Sequence, residues 1–231
     1  METLVMAADR SAGRSGLAVF KGGVAVCVKR WDVEPSRAPG WIAEAGQALS
    51  ETGIEIGEIG RFICGLGPGS FSGIRACLAA LQGMALPGGR PVCGVASAAA
   101  LALGQARGVE AVTVAGDARR GRVWCVTYRA DKAAASVRLA DGGAPSHTGD
   151  DFKLVAADDL AEAVPDGTLI VSPEWARLGQ VLSETFPAER LVRQDVFPDV
   201  VDLGLLALSA PEACVAEPMP IYLHPAVAVK R

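Results

Sequence analysis

A glycine-rich segment, residues 65–75, holds the residues of this sequence best suited to binding a ligand. It runs Gly-Leu-Gly-Pro-Gly-Ser-Phe-Ser-Gly-Ile-Arg between an apolar strand-like run and a helix-like run. Glycines permit a tight turn there, and free N–H groups at the start of the next helix can hold an anion. However, the segment lacks the lysine of a P-loop, and Ser72 replaces the last glycine of the dinucleotide pattern. Both a phosphate site and a purely structural turn with Ser70 as N-cap therefore stay open.

Two aspartates follow predicted strands. Asp9 closes the first apolar run, at the position where open α/β sheets carry ligand-binding groups. Asp117 lies in a second turn-like segment, residues 116–122, which concentrates three arginines in four positions, Arg119 and Arg120 among them. This basic spot suits phosphate or the acidic surface of a partner, and a solvated hairpin end is the alternative interpretation.

The helix predicted behind the glycine-rich segment has two different faces. One apolar stripe is expected to pack on the sheet: Phe71, Ile74, Leu78 and Leu81. A second stripe consists of small residues: Gly73, Ala76, Ala80 and Gly83. Small residues let another helix approach closely, so this stripe is expected either to contact a second polypeptide or to pack on the chain's own first helix.

Apolar runs and breakers predict the elements of the first half of the chain. The expected strands cover residues 3–8, 16–20, 24–28, 61–66 and 91–95, and the expected helices cover 41–49, 71–86 and 97–107. Ser97 is expected to cap the last of these helices. Three consecutive strands followed by alternating helices and strands predict an α/β fold with a mixed sheet.

The second half of the chain repeats this order with longer loops. Strands are expected at residues 111–115, 122–128 and 135–139, helical or strand segments at 157–164, 168–171 and 175–186, and a final helix at 200–208. We therefore expect an N-terminal lobe over residues 1–108 and a C-terminal lobe over residues 109–231. The last helix is expected to pack back on the first lobe.

The composition is that of a folded globular protein that does not bind nucleic acid through overall charge. The chain has 231 residues, of which 50% are hydrophobic and 21% charged, and its formal net charge is -4. The mean hydropathy of +0.29 is high. It indicates either apolar surface reserved for another chain or simply a high alanine content.

Cysteine and histidine usage argues against disulfide and metal frameworks. The six cysteines are scattered without a Cys-x-x-Cys pair, as is typical of a reducing compartment. The two histidines, His147 and His224, are too far apart in sequence for a His-x-x-x-His metal pair, so no metal site is expected. The N-terminus lacks the pattern of a signal peptide, and no apolar run suits a membrane span, so we expect a cytoplasmic protein with no membrane partner.

Together these motifs resemble the TsaB (YeaZ) family, the non-catalytic partner of the transferase TsaD in tRNA threonylcarbamoyladenosine synthesis. The resemblance rests on the strand ending in Asp9-x-Ser, on the turn from Gly67 to Arg75, and on the later segment from Asp117 to Val123. It covers most of the first 130 residues and weakly residues 220–223. The sequence departs from the family at Arg10 and Ser72, where threonine is usual, and Arg10 argues against a nucleotide site beside Asp9.

The resemblance implies an actin-like ATPase (ASKHA) fold of two RNase H-like lobes. It implies a scaffold that binds a TsaD-like transferase and a TsaE-like ATPase, that meets tRNA only through the complex, and that forms a homodimer when alone. No catalytic residue, metal or cofactor is expected in this chain, and ATP or ADP is left as a ligand of the complex interface only. The alternative is an ATP-dependent enzyme or peptidase of the same fold that acts alone.

The resemblance and the small-residue stripe together give the expected site residues. The expected partner interface, on the helices at 41–52 and 71–86, consists of Trp41, Ala45, Ala48, Gly69, Ser70, Phe71, Gly73, Ala76, Ala80 and Gly83. The expected contacts with an anion or a partner are Asp9, Arg75, Asp117, Arg119 and Arg120.

Overall fold

The first lobe is built on a five-stranded mixed sheet. The computed structural model describes residues 3–33, 40–145 and 148–223. The strands are β1 (Leu4–Asp9), β2 (Arg14–Lys21), β3 (Val24–Asp32), β4 (Ile59–Gly65) and β5 (Val92–Val95). They lie in the order β3-β2-β1-β4-β5, with β1, β2 and β3 antiparallel and β4 and β5 parallel to β1.

Three helices accompany this sheet: α1 (Trp41–Thr52), α2 (Phe71–Ala85) and α3 (Ser97–Gln105). Gly53 ends α1 in the left-handed conformation that glycine adopts without steric cost. Ser70 caps α2, as predicted, because its side chain accepts a hydrogen bond from the Gly73 N–H. A short 3₁₀ turn that contains Pro87 ends the same helix.

The second lobe repeats the strand order of the first. Its strands are β6 (Ala111–Asp117), β7 (Arg122–Asp131), β8 (Ser136–Leu139), β9 (Lys153–Ala156), β10 (Leu169–Ser172) and β11 (Leu191–Asp195). They lie in the order β11-β10-β6-β7-β8, and β9 also pairs with β7. A long antiparallel pair, β6 and β7, is again extended by parallel strands on the other side of the first strand. The helices are α4 (Leu160–Ala163), α5 (Trp175–Thr185) and α6 (Val200–Ser209).

Helices α3 and α6 lie between the two sheets and join the lobes through one continuous apolar core. Helix α6 packs on β1 and β2 of the first sheet, and α3 packs on α6 and on β6 and β7 of the second. Gly204 has no room for a side chain because Phe20 of β2 lies against it. Helix α6 also forms an ion pair with each lobe. Its Asp202 contacts Lys132 of the second lobe, and its N-cap residue Asp199 accepts two hydrogen bonds from Arg30 of the first lobe.

Several sequence predictions need correction. Ser97 is not the N-cap of α3, because Ala96 holds that position and the Ser97 hydroxyl bonds elsewhere. Phe71 does not face the sheet, since it is 56% exposed. The buried face of α2 includes Cys77 in addition to the predicted Ile74, Leu78 and Leu81. Strands β9 and β11 were not predicted, because β9 is only four residues long and β11 has only two apolar residues, Leu191 and Val192.

The predicted division of the chain at residue 108 lies in the connection between α3 and β6. Two independent lobes stay a prediction, because the same apolar core includes residues of both sheets. Among the described residues, no helix combines the length and the apolar character needed to cross a membrane.

Candidate functional site

Asp9, at the end of β1, is buried beneath the glycine-rich turn. Its side chain is 1% exposed. The Ser11 N–H and hydroxyl donate to Oδ1 at 2.8 and 2.7 Å, and the Ser97 hydroxyl donates to Oδ2 at 2.5 Å. Burial raises the pKa of Asp9, and the hydrogen bonds from Ser97 and Ser11 oppose that rise. The carboxylate thus offers almost no exposed surface for the anion or partner contact that the sequence predicted at Asp9.

The glycine-rich turn is fastened to this carboxylate. The Gly67 N–H donates to the Ser97 hydroxyl at 2.9 Å, and the Ser97 N–H donates back to the Gly67 carbonyl at 2.8 Å. A Cβ at Gly65 would overlap the Asp9 carboxylate, so only glycine fits there. On the far side, the Ser70 N–H donates to the Ser11 carbonyl at 2.7 Å. The network accounts for the motif structurally: it sets where α2 begins.

The outer side of α2 exposes two of the four residues of the predicted small-residue stripe. Ala76 and Gly83 are exposed, and a Cβ at Gly83 would meet no atom within 4 Å. Ala80 is half-buried and packs partly on the core. Gly73 faces the chain's own backbone, because a Cβ there would overlap the Arg10 carbonyl. We define the α2 surface as the exposed residues of this helix: Phe71, Ser72, Arg75, Ala76, Ala79, Gln82 and Gly83.

An aromatic cluster marks the beginning of the α2 surface. The rings of Phe71 and Tyr222 lie 5.6 Å apart between centroids, and the guanidinium of Arg75 lies 4.9 Å from the Phe71 centroid. Both rings are largely exposed, at 56% and 47%. Arg75, predicted as a possible anion or partner contact, thus stacks on Phe71, which is a predicted interface residue. Gly69 and Ser70 are also exposed at this end of the helix.

The three α1 residues predicted at the partner interface need correction. Trp41, Ala45 and Ala48 are 2%, 0% and 2% exposed and belong to the chain's own core. The apolar residues at helical spacing in α1 form the face that packs inward. The exposed side of α1 instead includes Ile42 and Gly46.

The second-lobe turn keeps its charged groups near the surface. The Asp117 carboxylate accepts hydrogen bonds from the Arg119 N–H at 2.7 Å and from its guanidinium at 3.0 Å. Arg177 of α5 approaches the same carboxylate at 3.5 Å. The Asp117 N–H in turn donates to Glu174 at 2.7 Å, and burial raises the pKa of Glu174. Arg120 is exposed.

Glu174 and Arg177 were not predicted as neighbours of Asp117. Glu174 lies 57 residues away in sequence and enters the site only because α5 begins beside the end of β6. No local pattern could have found it. Tyr222 had a weak signal, since it lies in the segment at residues 220–223 that resembles the family.

A cavity of about 660 Å³ lies where α6 joins the lobes. Its charged lining includes Arg30 and Lys132, and both are already paired with aspartates of α6. The described residues contain no cluster of three or more side chains able to hold a metal. The two histidines of the chain, His147 and His224, lie outside the described residues.

The sequence is similar to proteins of known families. A model of the family "TsaD: tRNA N6-adenosine threonylcarbamoyltransferase" matches residues 42–141. The chain is 36% identical over 86 residues to the tRNA threonylcarbamoyladenosine biosynthesis protein TsaB of Escherichia coli. That alignment spans 36% of this chain and 37% of the E. coli protein.

Solved structures match over nearly the whole chain. YeaZ from Pseudomonas aeruginosa is 25% identical, with a TM-score of 0.74 over 96% of this chain and 100% of that one. A second structure, described as an uncharacterized protein with similarity to peptidase YeaZ from the same organism, has 24% identity and a TM-score of 0.75 over 96% of this chain and 100% of that one.

The fold and the comparisons identify the class of protein. Two lobes with the same strand order and helices packed between them form the actin-like ATPase fold of two RNase H-like lobes, so the predicted fold class is confirmed. The resemblance to TsaB (YeaZ) predicted from the sequence is confirmed as well.

Proposed function

We propose that this chain is a non-catalytic subunit that binds a TsaD-like transferase through the α2 surface. The complex would modify the adenosine next to the anticodon in tRNAs that decode ANN codons, in the cytoplasm. The observation that carries the proposal is the exposed small-residue side of α2 in a chain similar to TsaB.

The shape of the α2 surface supports a helix as the partner element. Where residues are small, two helix axes can approach more closely than the usual 8–10 Å separation. Ala76 and Gly83 provide such a position, and Leu86, just past the helix, is 79% exposed. At the other end, Phe71 and Tyr222 are aromatic side chains of the kind that contribute most to binding energy at interfaces. The surface therefore has a flat centre with apolar residues at both ends.

The state of Asp9 supports a non-catalytic role. A carboxylate that acts on a substrate must be reachable, whereas this one is 1% exposed and accepts three hydrogen bonds from its own chain. We propose that ATP or ADP, a TsaE-like ATPase and tRNA act at the complex, and that the α2 surface pairs with a second copy when the transferase is absent.

A charge introduced on the α2 surface tests the proposal. Gly83→Glu adds a side chain where a Cβ meets nothing within 4 Å, so the fold should persist. A buried unpaired charge at the interface should weaken binding to a purified TsaD-like transferase at least about 100-fold. Binding is measured by isothermal titration and by co-elution from a sizing column.

Ser183→Glu is the matched control, because Ser183 is also an exposed helical position but lies on α5 of the second lobe. It should bind like the wild type. Ala80→Arg is a poorer probe, since Ala80 packs partly on the core and its variant can lose binding by unfolding. Unchanged binding by folded Gly83→Glu would refute the α2 surface as the interface. ATP hydrolysis by the isolated chain would favour the alternative of an enzyme that acts alone.

A further inference from the structure

A cluster of two thiols and a guanidinium lies on the inner side of the first sheet, where the C-terminal segment crosses β5. Arg61 of β4 donates from Nε to the Cys93 sulfur at 3.1 Å and from Nη2 to the Cys214 sulfur at 3.4 Å. Cys93, on β5, is 5% exposed, and Cys214, just past α6, is half-buried. One guanidinium thus bridges two cysteines that are 121 positions apart in the chain.

The charge of Arg61 favours an anionic sulfur. Within the described ranges, the groups that stabilise the charged form of Arg61 are these two cysteines, and no carboxylate is among them. A half-buried cation needs an anionic or strongly polar partner. The neighbouring Cys214 and then the guanidinium hold the pKa of Cys93 at about 6, against the opposing effect of burial. The neighbouring Cys93, together with burial, raises the pKa of Cys214.

A second cysteine pair in the same lobe shows what is special about this cluster. Cys64 and Cys77 are also neighbours, but both are 0% exposed. The neighbouring Cys64 and then burial raise the pKa of Cys77 well above its ordinary value, so the Cys77 thiol stays protonated. It provides an internal control for thiol reactivity.

We propose that Cys93 and Cys214 form a hydroperoxide-responsive thiol pair whose disulfide fastens the C-terminal segment to β5. The segment, residues 214–223, is defined here as the C-terminal strap. The proposal does not depend on the proposed partner.

The chemistry needs only a hydroperoxide as oxidant. The Cys93 thiolate attacks the terminal peroxide oxygen, an S–O bond forms, the O–O bond breaks, and the leaving alkoxide or hydroxide takes up a proton. The Cys214 sulfur then attacks the sulfur of the Cys93 sulfenic acid. The S–S bond forms as the S–O bond breaks, and hydroxide leaves with the thiol proton as water. The two cysteines lose two electrons, and the peroxide gains them.

The strap gives this bond a structural consequence. Val215 and Gly94 exchange two backbone hydrogen bonds of 2.9 Å, which hold the strap beside β5. Further along, the Ile221 N–H donates to the Leu66 carbonyl at 2.9 Å. Tyr222 then lies on Phe71 at the beginning of the α2 surface. A disulfide at Cys214 would therefore slow the opening of the strap.

The experiment treats the full chain with limiting hydrogen peroxide and maps disulfides by mass spectrometry of a non-reduced digest. We expect a Cys93–Cys214 linkage and, in Cys214→Ser, a sulfenic acid at Cys93 trapped by dimedone. Arg61→Gln should slow the oxidation of Cys93 about fivefold at pH 7, because the gain in thiolate fraction outweighs the lower nucleophilicity of a more acidic thiol. Hydrogen exchange of residues 215–222 should slow by at least about tenfold in the oxidised chain.

Two results would overturn the proposal: no linkage between Cys93 and Cys214, or equal oxidation of Cys64 and Cys77. Arg61→Lys, which keeps the charge, covers the case in which Arg61→Gln does not fold. If both variants fail to fold, the linkage map of the wild-type chain and the trapping in Cys214→Ser still decide the question.

Discussion

Each lobe has an aspartate at the end of the first strand of its sheet, and the two aspartates differ in exposure and in their partners. In the first lobe, Asp9 is 1% exposed and accepts hydrogen bonds only from its own lobe's serines. In the second, the Asp117 side chain is 19% exposed and pairs with Arg119 and Arg177, whose side chains are 64% and 54% exposed.

This difference indicates that the first aspartate fixes structure and the second keeps a charged surface. The β6–β7 turn also holds Arg119 and Arg120 at φ values of 66° and 56°, which side chains with a Cβ rarely adopt. The glycine-rich turn of the first lobe, by contrast, uses glycine wherever its backbone is unusual. The predictions below test this contrast.

The largest difference is expected on removal of the two carboxylates. Asp9→Ala leaves three buried donors without an acceptor and should lower the free energy of unfolding by about 3 kcal/mol. Asp117→Ala breaks exposed ion pairs and should cost less than about 1 kcal/mol. Denaturant unfolding of both variants measures the difference, and similar losses would mean that the two aspartates have the same role.

A smaller effect is expected for the serines that follow. Ser97→Ala removes the hydroxyl between Asp9 and Gly67 and should cost about 1.5 kcal/mol, because a buried N–H and a buried carboxylate each lose a partner. The hydroxyl of Ser172, at the end of β10 in the second lobe, accepts a hydrogen bond from the Glu174 N–H at 3.0 Å. Ser172→Ala should cost roughly half as much. The reverse order in thermal unfolding would contradict the role of Ser97.

These residues also show where sequence reasoning succeeds and fails. The Ser70 cap and the strands around it follow from local patterns, so they were predicted. The burial of Asp9 depends on Ser97, 88 residues away, and Glu174 reaches Asp117 across 57 residues. Phe71 fits the apolar spacing of α2 but is the first residue of the helix and is exposed, so spacing alone misplaced it.

The next effect is the pH dependence of stability that Asp9 should introduce. Its pKa in the folded chain is raised above the ordinary value of 3.8, so the folded state binds this proton more tightly than the unfolded state. The contribution to stability is complete below pH 3.8 and is lost as pH rises through the raised folded pKa. Wild type should therefore lose stability relative to Asp9→Asn in urea unfolding as the pH rises above 3.8. A pH-independent difference would contradict the raised pKa.

The smallest effect concerns the conformation of the second-lobe turn. Arg120→Gly should raise the free energy of unfolding by about 0.5 kcal/mol, because relief of the left-handed strain exceeds the entropy of the added glycine. Arg193→Gly, on an exposed part of β11, should instead cost roughly 0.5–1 kcal/mol. Loss of stability in Arg120→Gly would show that the arginine makes a contact that outweighs the strain.

The Arg120→Gly variant also tests whether the left-handed conformation of Arg120 is retained because the arginine contacts a partner. If Arg120→Gly is more stable but binds a TsaD-like transferase or tRNA more weakly, the arginine is retained for contact despite its effect on folding. Arg120→Asn tolerates the same backbone angle without the charge, so its binding tells whether charge or backbone shape is required. Full binding by both variants would support the alternative interpretation, in which the β6–β7 turn is a solvated hairpin end.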